Sequence, residues 1–320
     1  MALKIAIQMD PITGVDVDAD TSFDFALEAY SRGHEVSVYS PLTVSLDGDR
    51  VIARTQKATR LERSPGDHVD LDAPALTELS SFDAILVRQD PPFDMAYITS
   101  VQLLERLPTK TQVLNDPRSI RDAPEKLFVT EFQDLTPPTL ISRDTETIHS
   151  FRDTHGDVIV KPLYGNGGAD VFKMVEDDPN FNTLLELFTD RFREPFIVQK
   201  FLPSVSAGDK RIILLDGEAV GAINRVPAKG EARSNMHVGG RAEPIEMSAR
   251  DQEICDRIGP ALSERGLIFV GIDIIGDYLT EINVTSPTGV QEVRRFGGAD
   301  ISALFIDWIE GNVENGGPGS

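Results

Sequence analysis

Cysteine is nearly absent from this 320-residue chain: Cys255 stands alone, which excludes an internal disulfide framework and any thiolate metal cluster. Such usage fits a reducing compartment, and a cytoplasmic location is expected. Positive charge is also scarce. Lys and Arg total 31 against 52 Asp and Glu, and the resulting net charge of −21 repels nucleic acid and anionic membranes. The longest apolar run, residues 267–275, is interrupted by Asp273 and falls far short of the roughly 20 residues that span a bilayer. The first ten residues show no basic segment or cleavage site of a secretory signal. Neither a nucleic-acid nor a membrane partner is expected.

Several catalytic signatures are missing too. The phosphate-loop pattern G-x-x-x-x-G-K-[ST], the dinucleotide fingerprint G-x-G-x-x-G and the nucleophile elbow G-x-S-x-G do not occur, and the five histidines, His34, His68, His149, His155 and His237, lack metal-ligating spacing. Zinc hydrolase, serine hydrolase and dehydrogenase readings therefore have no support. Cys255 lies in a helical stretch, residues 251–265, where a structural thiol is expected.

What remains is an ordinary globular composition, 40% hydrophobic, in a chain long enough for about two domains. Residues 4–9 read as a strand, Thr21 or Ser22 as the cap of a helix stopped by Gly33, and residues 34–40, 84–88 and 112–115 as further strands. This is an open parallel sheet, whose ligands gather beyond the carboxyl ends of the strands. Asp10 follows the first strand, and Arg88-Gln89-Asp90-Pro91-Pro92 the third. Asp122-Ala-Pro-Glu125 has capping-box spacing, and a domain boundary is placed near residue 122. Strands at 158–161, near 171, at 196–201 and at 211–215, with a helix at about 182–192, make the second part α+β. Residues 226–241 read as a mobile glycine-rich loop, and the last ten residues as a disordered tail.

Three constellations could carry chemistry. Lys161 ends an apolar strand and is followed by Gly165, Gly167 and Gly168, a lysine and flexible backbone suited to a phosphate chain, though a surface hairpin would look similar. Glu281 and Asn283 lie two apart on an apolar strand and so share a face. Asp273 joins them if residues 276–278 form a three-residue loop, whereas a two-residue Gly-Asp turn would place it on the opposite face. Three such oxygen donors suit Mg²⁺. Finally, Arg211, Arg225, Arg233 and Arg241 bracket the glycine-rich loop in an otherwise acidic protein, a pattern suited to clamping an anion.

The ordered series Met9-Asp10-Pro11, Arg88-Gln-Asp-Pro-Pro-Phe93, Glu125-Lys-Leu-Phe128, Lys161-Pro-Leu-x-Gly-x-Gly-Gly168, Gly208-Asp-Lys-Arg211, Gly230-Glu-x-Arg-x-Asn235, Gly239-Gly-Arg241 and Leu279-Thr-Glu-Ile-Asn-Val-Thr-Ser-Pro287 resembles the bacterial glutathione synthetase family of ATP-grasp carboxylate–amine ligases, over about residues 3–310. The resemblance implies an N-terminal Rossmann-like parallel-sheet domain, 1–122, and a two-lobed ATP-grasp domain, 123–311, with a lid at 226–241 and a tail at 312–320. It implies that Lys126, Lys161, Asp209 and the loop glycines meet ATP, with Gln199, Lys200, Phe201 and Leu202 bordering the adenine. Asp273, Glu281 and Asn283 match magnesium ligands, where Mn²⁺ could substitute, and Arg211, Arg225, Arg233 and Arg241 match catalytic positions. Asp10, Arg88, Asp90, Ser286 and Pro287 fall to the substrate.

The reaction implied joins γ-glutamylcysteine to glycine through an acyl phosphate, at the expense of ATP, in a homotetramer. The loop departs from the family pattern at Lys229 and at Met236-His237-Val238. Alternatives are another ATP-grasp ligase or a non-catalytic ATP-binding module, although the latter would be expected to lose a metal ligand or a loop arginine.

Overall fold

The computed structural model describes residues 1–228 and 239–314. It opens with β1 (Lys4–Gln8), α1 (Thr21–Ser31) and β2 (Glu35–Tyr39), followed by β3 (Ser45–Asp47), β4 (Arg50–Leu61), β5 (Val69–Leu71), β6 (Ala75–Glu78), β7 (Ala84–Val87), α2 (Met95–Leu104), β8 (Gln112–Leu114) and α3 (Pro117–Asp122). In the sheet the order is β3-β4-β2-β1-β7-β8, and β2, β1, β7 and β8 run parallel as expected. The antiparallel extension built on β4 goes beyond that expectation. Between the buried Val51 and Leu61 its inward positions are the small or polar Ala53, Thr55 and Ala58, which give a weak alternating signal.

Two capping expectations are corrected. Asp20, not Thr21 or Ser22, caps α1, its carboxylate accepting from the Phe23 amide at 2.6 Å. Asp122 does not open a helix but ends α3. The next helix, α4 (Glu125–Phe128), starts after Pro124 with no side-chain cap, because a proline holds the preceding Ala123 out of helical geometry.

Beyond α4, an antiparallel sheet in the order β11-β10-β12-β9 forms from β9 (Thr139–Ser142), β10 (Val158–Pro162), β11 (Phe172–Met174) and β12 (Phe196–Lys200). Helices α5 (Thr145–His155) and α6 (Phe181–Arg191) contribute Ile148, Phe181, Leu185 and Phe188 to its separate core. A second antiparallel sheet, β15-β14-β13-β16-β17, is built from β13 (Asp209–Leu215), β14 (Glu218–Val226), β15 (Arg241–Pro244), β16 (Phe269–Ile275) and β17 (Tyr278–Asn283), with α7 (Ala249–Glu264) between β15 and β16 in sequence. Helices α8 (Val290–Arg295) and α9 (Ile301–Glu314) end the described chain.

The second sheet shares its core with the N-terminal part: Phe269 and Phe305 pack against Phe25 of α1 with ring centroids 5.0 and 4.7 Å away. Buried Asn115, just beyond β8, donates to the carbonyls of Phe269 (2.9 Å) and Val284 (2.7 Å) and accepts from the Phe269 amide (2.8 Å). The tail expected from 312 is corrected in part, since α9 carries residues 312–314 as helix. Among the described residues no helix is long and apolar enough to cross a membrane.

Candidate active site

A cavity of about 530 Å³ opens between the two antiparallel sheets and the carboxyl edge of the N-terminal sheet. It collects Arg88, Asp90, Lys126, Lys161, the three loop glycines, residues 199–202, Asp209, Arg211, Arg225, Asp273, Glu281, Asn283, Ser286 and Pro287. Asp10 lies outside its wall, but accepts from the Asp90 amide at 3.0 Å and so steers the Arg88 loop. Arg241 also lies outside, exposed at the start of β15 and paired with Glu243. Residues 229–238 of the expected lid, with Arg233 and the divergent Lys229 and Met236-His237-Val238, fall outside the described residues.

The acidic hairpin solves the register question in an unexpected way. The turn is the two-residue Gly276-Asp277, with Ile275 opposite Tyr278, yet Asp273 still pairs with Glu281. A β-bulge at Thr280 inserts the extra residue, and the Thr280 hydroxyl donates to the Asp273 carbonyl at 3.1 Å. Asp273, Glu281 and Asn283 therefore share one face. The close approach needs glycine at 271, where a Cβ would stand 2.7 Å from Pro287 and 3.1 Å from the Arg211 side chain.

Each carboxylate is met by two cations. Arg211 grips Asp273 bidentately, Nε to Oδ1 at 2.5 Å and Nη2 to Oδ2 at 2.9 Å, and Arg225 bridges Asp273 (2.9 Å) and Asp209 (2.5 Å). Burial opposes ionisation of Asp273, but the two guanidiniums outweigh it and hold the carboxyl below its usual range. Burial likewise opposes ionisation of Glu281, which Lys126 (3.5 Å) and Lys161 (3.3 Å) nevertheless hold low. Lys126 also donates to the Gly165 carbonyl at 2.6 Å and to Glu125, tying α4 to the glycine turn. Burial pushes Glu125 upward despite that lysine.

Three hard oxygen donors on one face, two of them ionised carboxylates, fit Mg²⁺ in kind and number with ligand phosphates and water completing the shell. Among the described residues no group of three His, Cys, Asp or Glu stands in metal-holding proximity, and the third donor here is an amide. At the other end, the buried Arg88 guanidinium lies 5.5 Å from the rings of Phe25 and Phe269, and donates to Ser22 (3.1 Å) and the Pro287 carbonyl (3.0 Å). Its Nη1 has no protein partner. Asp16, Asp20, Glu125, Thr280 and Thr288 also line the wall and are among the residues that sequence reasoning misses as site residues. Glu125 stands in one of the family motifs, whereas Asp16 and Asp20 carry only the signal of a loop following a parallel strand.

A glycine turn with a strand-end lysine, a cavity-lining connector at residues 199–202 and an acidic hairpin, held between two antiparallel sheets, define the ATP-grasp class of ligases. Solved structures agree on the fold. D-cycloserine synthetase DcsG superposes with a TM-score of 0.66 at 14% identity, covering 98% of this chain and 99% of that one. The ATP-grasp ligase PsnB, complexed with its precursor peptide PsnA2 and AMPPNP, gives 0.62 at 20%, covering 97% and 98%.

The family is fixed by sequence: residues 3–121 match the prokaryotic glutathione synthetase N-terminal domain and residues 125–298 its ATP-grasp domain. Glutathione synthetase of Agrobacterium fabrum is 58% identical over 96% of both chains, and that of Vibrio parahaemolyticus 42% identical over 98% of this chain and 99% of the relative. The chain belongs to the prokaryotic glutathione synthetase family, and it is an enzyme that makes glutathione by ATP-dependent ligation.

Proposed function

We propose that the cavity joins γ-glutamylcysteine and glycine in two steps. A dipeptide carboxylate oxygen attacks the terminal phosphorus of ATP, the bond to ADP breaks, and an acyl phosphate forms. The glycine amine then attacks the acyl carbon, loses a proton, and phosphate leaves as the amide bond forms. Lys126, Lys161 and the backbone of Gly165, Gly167 and Gly168 bind the phosphate chain. Residues 199–202 receive the adenine, and Lys173 caps Phe201 at 3.7 Å.

Asp273, Glu281 and Asn283 would hold Mg²⁺, or Mn²⁺ in its place, which when bound supplies charge neutralisation on the phosphates. Arg211 and Arg225 lie where negative charge accumulates in both steps and stabilise it without reorganising, since Asp209 and Asp273 already fix their orientation. Arg233 and Arg241 belong to this reading as loop cations. Arg88 receives a dipeptide carboxylate, with Asp90, Ser286, Pro287 and, through Asp90, Asp10 shaping that corner. No acid–base dyad or covalent nucleophile is required, because positioning and electrostatics lower the barrier. A cytoplasmic homotetramer completes the reading and rests on the family alone.

One observation carries it: Lys126, Lys161, Arg211 and Arg225 meet three metal-type donors in a single cavity whose far corner is lined by the buried Arg88 guanidinium. The test is phosphate release from ATP with Mg²⁺, γ-glutamylcysteine and glycine, with each omitted in turn and glycine replaced by other amino acids. Release that requires all components and matches glutathione formed is the expected result. Equal release with other acid–amine pairs would refute the substrate assignment.

A further inference from the structure

The segment between β1 and α1 brings Asp16, Ala19 and Asp20 to the cavity wall beside the Arg88 corner. Local bonds tie it only in part, the Ala19 and Asp20 amides donating to the Asp16 carbonyl at 3.0 and 2.8 Å. The Val17, Asp18 and Asp20 carbonyls accept from side chains far along the chain, the last of them also from the Asp24 amide at 3.3 Å. Gln291 of α8, 3% exposed, donates from Nε2 to the carbonyls of Val17 (3.2 Å) and Asp20 (2.8 Å). Its Oε1 accepts from Arg63 Nη1 at 2.6 Å, and Arg63 also bonds the Val17 carbonyl. Arg295, a turn further along α8, donates to the Asp18 carbonyl at 3.0 Å.

Helix α8 begins two residues after Thr288, directly behind the Pro287 wall that Arg88 holds. One buried amide thus joins the two sides of the corner. Only an amide can do so, because the position must donate twice and accept once. The Val17 carbonyl also accepts from Arg63 and the Asp20 carbonyl from the Asp24 amide, so what Gln291 adds is the tie between α8 and the loop, a buried cross-link that makes the loop position stiff.

We propose that Gln291, backed by Arg63, is a positioning residue for the acid substrate: it fixes the Asp16–Asp20 wall against Arg88 and so sets affinity for the dipeptide, not for ATP. The proposal rests on the reading of the Arg88 corner as the dipeptide subsite. ATP lies against Lys126, Lys161 and residues 199–202, none of which touches this clamp.

The test is Gln291→Glu, equal in shape and still able to accept from Arg63 but unable to donate to the two carbonyls. The KM for γ-glutamylcysteine should rise about tenfold, the scale of one net hydrogen bond, with the KM for ATP and kcat within about threefold. Arg295→Met, at a side chain 58% exposed, removes the Asp18 bond together with the ion pair to Glu292 (2.6 Å) while leaving the Gln291 side chain in place, and keeps the test alive if the first variant does not fold. It should raise the same KM about two- to threefold. An unchanged dipeptide KM in the folded variants, or a parallel rise for all three substrates, would overturn the positioning role. Arg88→Met measured alongside separates the two claims: no change in dipeptide KM there would overturn the subsite itself.

Discussion

Arg88 offers the sharpest perturbation, because its cost to folding and its purpose in binding are separable. Burial pulls the guanidinium down to about 10, from 12.5. That difference, net of the attraction of Asp20 and Asp90, corresponds to roughly 3 kcal/mol against the charged form, although the group stays charged at neutral pH. Against it stand two hydrogen bonds, to Ser22 and Pro287, worth about 1.5 kcal/mol each when the donor is charged. The side chain is thus close to neutral for folding, and Arg88→Met, which keeps the stem between Phe25 and Phe269, should change unfolding free energy by less than about 2 kcal/mol.

Binding is another matter. A carboxylate set against the Arg88 guanidinium completes a desolvated ion pair, and truncating one side of such a pair costs about 2–5 kcal/mol. At about 3 kcal/mol the KM for γ-glutamylcysteine rises roughly a hundredfold, with that for ATP unchanged. Chemical denaturation paired with initial-rate kinetics on each substrate reads both quantities. A variant destabilised by more than about 4 kcal/mol with an unaltered dipeptide KM would show Arg88 to be architecture, and the reasoning would fall.

Other perturbations probe separate parts of the molecule. Glu281→Gln removes the charge facing Lys126 and Lys161, and kcat should fall by about two orders of magnitude or more with the far-ultraviolet dichroism preserved; full turnover at limiting Mg²⁺ would remove Glu281 from the metal site. Gly259→Ala should destabilise by about 2 kcal/mol or more, because the added Cβ would lie 2.4 Å from the Gly217 carbonyl oxygen, reversing the gain of about 1 kcal/mol usual within a helix. A denaturation midpoint at or above that of the parent would contradict that backbone contact. Burial, with Asp251 and Asp256 nearby, pushes the Cys255 thiol up to about 12. At pH 8 its thiolate fraction is about 10⁻⁴, some three orders of magnitude below that of an ordinary thiol, so native labelling should be about a thousandfold slower than labelling in denaturant. Rates within tenfold of each other would refute the buried assignment.

The bulge at Thr280 shows where sequence reasoning reaches its limit. Pattern alone places Glu281 and Asn283 on one face, because strand periodicity is local. Whether Asp273 joins them depends on one residue of register, and the threonine that supplies it has no local signature distinguishing it from a regular strand position. The caps show the same limit at short range: Asp20 competes with two neighbouring hydroxyl residues that are equally good caps by type, and Pro124 displaces the Asp122 box by forcing the backbone before it.

The sequence by itself determined the parallel core of the first sheet, the α+β character of the second half, and the lysines, glycines, arginines and acids that make the chemistry. These are properties of composition, periodicity and short spacing, carried by contiguous residues. Only the tertiary structure decided that Asp16 and Asp20 face the cavity, that Arg88 is buried beside them with its Nη1 unpartnered, and that Gln291 reaches back some 270 residues to hold their loop. Those outcomes come from packing between segments far apart in the chain. Burial, unmatched donors and close backbone approach exist only once the segments meet, so no local pattern could encode them.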